Sequence, residues 1–116
     1  MNKLLVFDSE GEEFDAASVK QGLSAVEGVF DLREGAFIGS VLECEYATAG
    51  DRTIVRLSDD LKTISFTGLG DASLTLAMEL QRRLGRRLRA IDLGYSFEVD
   101  LGDYQTLEAL REAVRG

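Results

Sequence analysis

The chain has 116 residues, 45% of them hydrophobic and 29% charged, and its 21 acids against 13 bases give a formal net charge of −8. That length supports one core and one domain, residues 1–116, and the apolar fraction lies far from that of a disordered chain. With no histidine and a single cysteine, Cys44, the Ser-His-Asp and Cys-His nucleophiles, zinc chemistry and an internal disulfide are excluded.

In chain order, "MNKLLVFDSE" places only four apolar residues before Asp8, too few for a signal-peptide core or a membrane span, so a cytoplasmic location is expected. "KLLVF" reads as a first, largely buried strand. "DSEGEEFD" is a glycine-containing acidic loop carrying Glu10, Glu12 and Glu13. Asp15 then suits the N-cap of a helix reaching about Glu27, with Val19, Leu23 and Val26 at helical spacing and Gly28 as its stop.

From Val29 to Phe66 the period changes to two. "VFDL", "FIGSVLECEYA", "RTIVRL" and "KTISF" are strand candidates, separated by "REGA", "TAGD" and "SDDL", and together they predict an antiparallel meander. In its middle hairpin Leu42, Cys44 and Tyr46 face inward with Thr53, Val55 and Leu57. Glu43 and Glu45 are left outside near Arg52 and Arg56, a pattern of cross-strand ion pairs. Cys44 is therefore expected to be a buried structural thiol.

"TGLGDASLTLAMELQRRLGRR" sets a glycine-rich turn before an amphipathic helix, which raises the question of a phosphate loop. The Lys-Ser/Thr pair of an ATP loop and the third glycine of a dinucleotide loop are both missing. Asp71 falls at the expected N-cap, so the glycines turn the chain and Asp71 starts the helix. Gly85 suits a left-handed C-cap, and the run Arg82, Arg83, Arg86, Arg87 and Arg89 exceeds what the helix dipole requires. Some of these arginines should pair with acids nearby or form a docking patch.

"LRAIDLGYSFEVDL" supplies one broken strand or two short ones around Gly94, and Thr106 caps a last helix with Leu107, Leu110 and Val114 on one face. The order β-α-β-β-β-β-α-β-α defines an α+β fold: an antiparallel-dominated sheet with helices packed on one face. The acids of "DSEGEEFD" miss the calcium-loop phasing. Glu98 and Asp100 share a strand face, but no third carboxylate or lysine accompanies them. No metal and no cofactor are expected, and the acidic pairs read as solvated faces.

Charge is distributed unevenly. Residues 1–80 hold 15 acids and 6 bases, residues 81–89 hold five arginines and no acid, and residues 90–116 hold 6 acids and 2 bases. Such a field repels nucleic acid and anionic membrane and attracts a basic protein. In length, in a pI of about 4.5, in its α/β pattern and in the style of "FTGLGDASLTLAMELQRRL" and "LRAIDLGYSFEVDL", the chain resembles the small acidic immunity proteins that bacteria encode beside polymorphic and interbacterial toxins.

That resemblance implies a non-catalytic protein that binds a cognate basic toxin tightly and covers its active surface. It transfers no functional residue. Charge and aromatic character nominate Glu10, Glu12 and Glu13 in the acidic loop, Glu43 and Glu45 on the meander's outer face, and Tyr95 beside Gly94 as partner-binding residues. Two other classes compete: a different acidic inhibitor or adaptor subunit, and a carboxylate-dependent enzyme or small-ligand binder using Asp92, Glu98 and Asp100. An exposed edge strand also leaves room for a homodimer.

Overall fold

The computed structural model describes residues 3–37, 39–48 and 50–115. Its strands are β1 (Lys3–Asp8), β2 (Val29–Phe37), β3 (Ser40–Thr48), β4 (Asp51–Ser58), β5 (Ile64–Thr67), β6 (Leu88–Asp92) and β7 (Glu98–Asp100), and its helices are α1 (Ala16–Ser24), α2 (Asp71–Leu84) and α3 (Leu107–Arg115). The strands form one sheet in the order β2-β3-β4-β5-β1-β6-β7. Every neighbouring pair is antiparallel. The meander β2–β5 is the one the alternation predicts, and the amino-terminal strand is inserted between β5 and β6 while α2 carries the chain across it.

One face of this sheet makes the core. Leu4 and Val6 of β1, Leu42, Cys44 and Tyr46 of β3, Val55 and Leu57 of β4, Ile64 and Phe66 of β5, Leu88 and Ala90 of β6 and Val99 of β7 join a single buried cluster with Val19, Leu23, Leu76, Leu80 and Leu110 of the helices. Leu42, Cys44 and Tyr46 pair with Leu57, Val55 and Thr53, the register the alternation implies. The fold is thus a compact α+β arrangement, an antiparallel seven-stranded sheet with three helices. Among the described residues no helix is long and apolar enough to cross a membrane.

The boundaries differ from expectation in three places, each for a local reason. "REGA" lies inside β2 instead of forming a turn. Register shifts between Phe30/Arg33 and Glu34/Phe37 absorb the extra residues, and Asp31 at φ +55 and Gly35 at φ +147 supply the left-handed backbone involved. The chain instead reverses near Gly39, so "FIGSVLECEYA" is divided between two strands. Helix α1 stops at Ser24, before Glu27, when the Ala25 amide bonds back to Gln21 and Leu23. Gly28 then opens the path into β2 at φ +100, where a Cβ would strike the Ala47 carbonyl and the Tyr46 ring. "LRAIDLGYSFEVDL" resolves into two short strands, β6 and β7.

The start of α2 carries the clearest correction. Its N-cap is Gly70, not Asp71, and no side chain at the cap position bonds to the helix. The capping carboxylate comes from the β3–β4 hairpin, where Asp51 Oδ2 accepts the Ala72 amide at 2.9 Å. A side chain at Gly70 would collide with that carboxylate. Asp71, released from capping, takes the guanidinium of Arg111 on α3 at 2.9 Å. Beneath the first turn, the Ser73 hydroxyl reaches Thr53 Oγ1 at 3.0 Å and the Thr67 carbonyl at 3.1 Å. The amide end of α2 is therefore closed by the protein's own carboxylate, which agrees with rejecting the phosphate loop. Gly85, at φ +64, is the expected left-handed C-cap, and the Thr106 hydroxyl accepts the Ala109 amide at the start of α3 at 3.1 Å.

Removing an N-cap oxygen costs about 1 kcal/mol. Asp51→Ala should lower unfolding stability by about that amount in urea titrations, and Asp71→Ala by less, because it loses only a partly exposed ion pair. Equal losses, or a larger loss at Asp71, would reverse the capping assignment.

Candidate functional site

The acidic loop follows β1 and is held at one end of the sheet by Asp8. This residue faces the helical side and is only 6% exposed. Its Oδ1 accepts the amides of Glu10 at 2.8 Å and Glu12 at 3.3 Å, while Oδ2 takes Arg86 Nε at 3.0 Å. Burial works to raise the Asp8 carboxyl, but these bonds and the Arg86 charge outweigh it and hold the group below its ordinary value. Arg86 also lies over the Phe14 ring, 5.2 Å from its centroid and inside the cation–π limit of about 6 Å. The loop's backbone is thereby fixed, and the side chains of Glu10, Glu12 and Glu13 are left exposed.

A second acidic turn adjoins the first. The buried Phe14 donates its amide to the Leu61 carbonyl at 2.7 Å, which ties the loop to the β4–β5 turn carrying Asp59 and Asp60. The Ser58 hydroxyl and the Lys62 amide bond to Asp60 at 2.6 and 3.0 Å. These contacts, the hydroxyl first, keep the Asp60 carboxyl below its ordinary value. Among the described residues, Glu10, Glu12, Glu13, Asp59 and Asp60 all stand outside the ion pairs.

The arginine run is spent within the chain. Arg82 and Arg83 pair with Glu79, Arg86 with Asp8, Arg87 with Asp100 and Arg89 with Glu98. Of the two readings open for this run, pairing with nearby acids describes all five side chains. The same contacts occupy the outward carboxylates Glu98 and Asp100, the latter also accepting the Gly102 amide at 2.9 Å. Among the described residues no group of three or more His, Cys, Asp or Glu is arranged to hold a metal ion.

Glu43 and Glu45 lie on the outer face of β3, as expected, and are engaged there. Glu43 takes Arg33 of β2 at 2.8 Å and Arg56 of β4 at 3.0 Å, with its side chain 15% exposed. Glu45 takes Arg52 at 3.2 Å. Cys44, between them, points into the core; burial first, then the two flanking glutamates, pushes its thiol up to about 12. The native thiol should resist a disulfide reagent at pH 8 and react at once in denaturant; rapid native labelling would contradict the burial.

Tyr95 lies at the opposite end of the sheet from the acidic loop, on the β6–β7 turn. Neighbouring Leu93 and Tyr95 are both exposed, while Asp92 beneath them is buried. Both Asp92 carboxylate oxygens are taken by Ser96, through its amide and its hydroxyl. The hydroxyl bond, the largest influence, holds the Asp92 carboxyl below its ordinary value against burial. The nominated residues thus occupy three places: Glu10, Glu12 and Glu13 at one end, Glu43 and Glu45 on the outer face, and Tyr95 at the other end. Sequence reasoning missed Asp59 and Asp60 as neighbours of the acidic loop, although the doublet in "SDDL" was the visible signal, and it missed Leu93 as a companion of Tyr95.

No protein-family model matches the chain, and no curated protein or solved structure is significantly similar to it.

Because Asp8 has a lowered carboxyl pKa when folded, its stabilisation is present above the unfolded value of about 4 and is lost as pH falls through the lower folded value. Asp8→Asn should therefore destabilise the protein at pH 7, on the order of 2 kcal/mol for hydrogen bonds to a buried charge. The difference from wild type should shrink toward pH 2. Urea titrations at several pH values read this directly, and a pH-independent difference would contradict it.

Proposed function

We propose that this protein is a non-catalytic inhibitory binding protein that neutralises a cationic protein partner by covering its active or binding surface, as the bacterial toxin-immunity proteins it resembles would do. One observation carries this reading. The arginine run is internally paired, whereas Glu10, Glu12, Glu13, Asp59 and Asp60 lie outside the ion pairs at one end of the sheet, outnumbering the Lys62 beside them, on a chain of net charge −8. A patch of predominantly one sign accelerates encounter with an oppositely charged surface, by about 10-fold to 1000-fold in strong cases. Glu43 and Glu45 contribute through the arginine-paired surface they form and not as free charges.

The engaged state of Asp92, Glu98 and Asp100 favours this reading over a carboxylate enzyme, since each already accepts hydrogen bonds from its own chain.

The test is capture of partners by the tagged protein in its native host at low and at moderate salt, followed by kinetics with the purified partner. A cationic protein is expected. Glu10→Lys, Glu12→Lys and Glu13→Lys combined should slow association at least about tenfold at low salt and flatten its salt dependence. An unchanged association rate and salt dependence in the triple variant would remove the acidic end from the mechanism.

A further inference from the structure

The β6–β7 turn has a feature that folding alone does not require. Leu93 and Tyr95 are the exposed large hydrophobic side chains among the described residues, at 51% and 76% exposure. Neither belongs to the core cluster or to the residues packed against it. Tyr95 also occupies φ +54, a left-handed conformation that disfavours an aromatic residue and suits glycine or asparagine. Asp92 fixes that conformation from below: Oδ1 accepts the Ser96 amide at 2.6 Å, Oδ2 accepts the Ser96 hydroxyl, and the Asp92 carbonyl accepts the Tyr95 amide at 3.1 Å. A strained, preorganised turn therefore presents an aromatic ring and a leucine to solvent.

This tip continues an apolar strip on the sheet face that the core does not use. Leu5 of β1 pairs with Ile91 of β6, Phe7 is two residues along β1 on the same face, and Leu93 is two residues beyond Ile91. Leu5 and Phe7 lie outside the core cluster and are partly exposed, whereas Ile91 on the same face is buried at 8% exposure. Ion pairs flank the strip on both sides, Glu43 with Arg56 on the β3–β4 side and Arg89 with Glu98 on the β6–β7 side. Ser65 of β5 stands between Leu5 and Arg56 and Lys3 shares the face of Leu5, so the exposed apolar area is concentrated at the tip, with the partly exposed Leu5 and Phe7 behind it and polar groups around them.

We propose that the Leu93–Tyr95 tip, with the partly exposed Leu5 on the sheet face behind it, is the apolar anchor by which this protein docks a cationic protein, Tyr95 and Leu93 entering an apolar pocket on that partner. The partner's charge rests on the function proposed above; the anchor rests on the exposure and geometry of the turn. A second copy is the poorer occupant. Two chains of net charge −8 repel, and both sheet edges discourage pairing, β2 by its register shifts and β7 by its three-residue length. The anchor and the acidic loop then divide the work: acids at one end speed encounter, and buried aromatic area at the other slows release.

The test places the photo-crosslinking residue p-benzoylphenylalanine at position 95 of the full chain in its native host, with the same residue at exposed Glu112 of α3 as control. The expected result is an adduct with one cationic protein from position 95 and none from position 112. With that protein purified, Leu93→Ala and Tyr95→Asn should each weaken binding at least tenfold, mainly through faster dissociation. Tyr95→Asn should keep or raise the thermal midpoint, because asparagine tolerates φ +54. No adduct at position 95, an adduct of two copies of this chain, unchanged affinity in both variants, or a clear fall in thermal midpoint for Tyr95→Asn would overturn the anchor. An adduct whose partner binds without salt dependence and ignores Glu10→Lys, Glu12→Lys and Glu13→Lys would instead overturn the charge reading and leave the anchor standing.

Discussion

The structure depends on covering a seven-stranded antiparallel sheet from one side only. Strict alternation along β1, β3, β4 and β5 sends one set of side chains, from Leu4 to Phe66, into a core shared with all three helices. A sheet with one packed and one open face must make the open face tolerable in water. This chain does so with cross-strand pairs of arginine and glutamate, and it leaves apolar residues between them on β1 and β6. The outer surface is thus a consequence of the fold before it is a question of function.

Helix α2 is what locks this arrangement. It packs against α1, α3 and the sheet, and its amino terminus is held by Asp51 from a hairpin about twenty residues upstream in the chain. The same economy governs the charges. Carboxylates that sit at chain reversals, Asp8, Asp51 and Asp92, are consumed in fixing loops, and the arginines after α2 are consumed by Asp8, Glu98 and Asp100. Five of the acids left outside the ion pairs, Glu10, Glu12, Glu13, Asp59 and Asp60, lie where the β1–α1 loop meets the β4–β5 turn, with the exposed Lys62 beside Asp60. An excess of acids in composition becomes a localised surface only through these internal pairings.

Much of the fold was legible because it rests on local periodicity. The inward row Leu42, Cys44 and Tyr46, its partners on β4, the meander and the cap at Thr106 all follow from spacing and side-chain chemistry within a few residues. The misreadings came where distant contacts decide. "REGA" has turn composition, yet β2 accommodates it with bulges against β3. Asp71 is the local N-cap candidate, yet Asp51 reaches the helix first. The site was less legible still: nothing in one dimension says that the turn carrying Asp59 and Asp60 is tied to the acidic loop through Leu61 and Phe14, or that the ring of Tyr95 stands outside the core.

The central claim is that binding uses the acidic end and the open side of the sheet while the helical layer stays free. Hydrogen exchange of the protein alone and in complex with its captured partner tests this most directly. The account predicts added protection in residues 9–13, 59–62 and 92–97 and little change along α1 and α3. Protection concentrated on the helical layer, with those three segments unchanged, would contradict it.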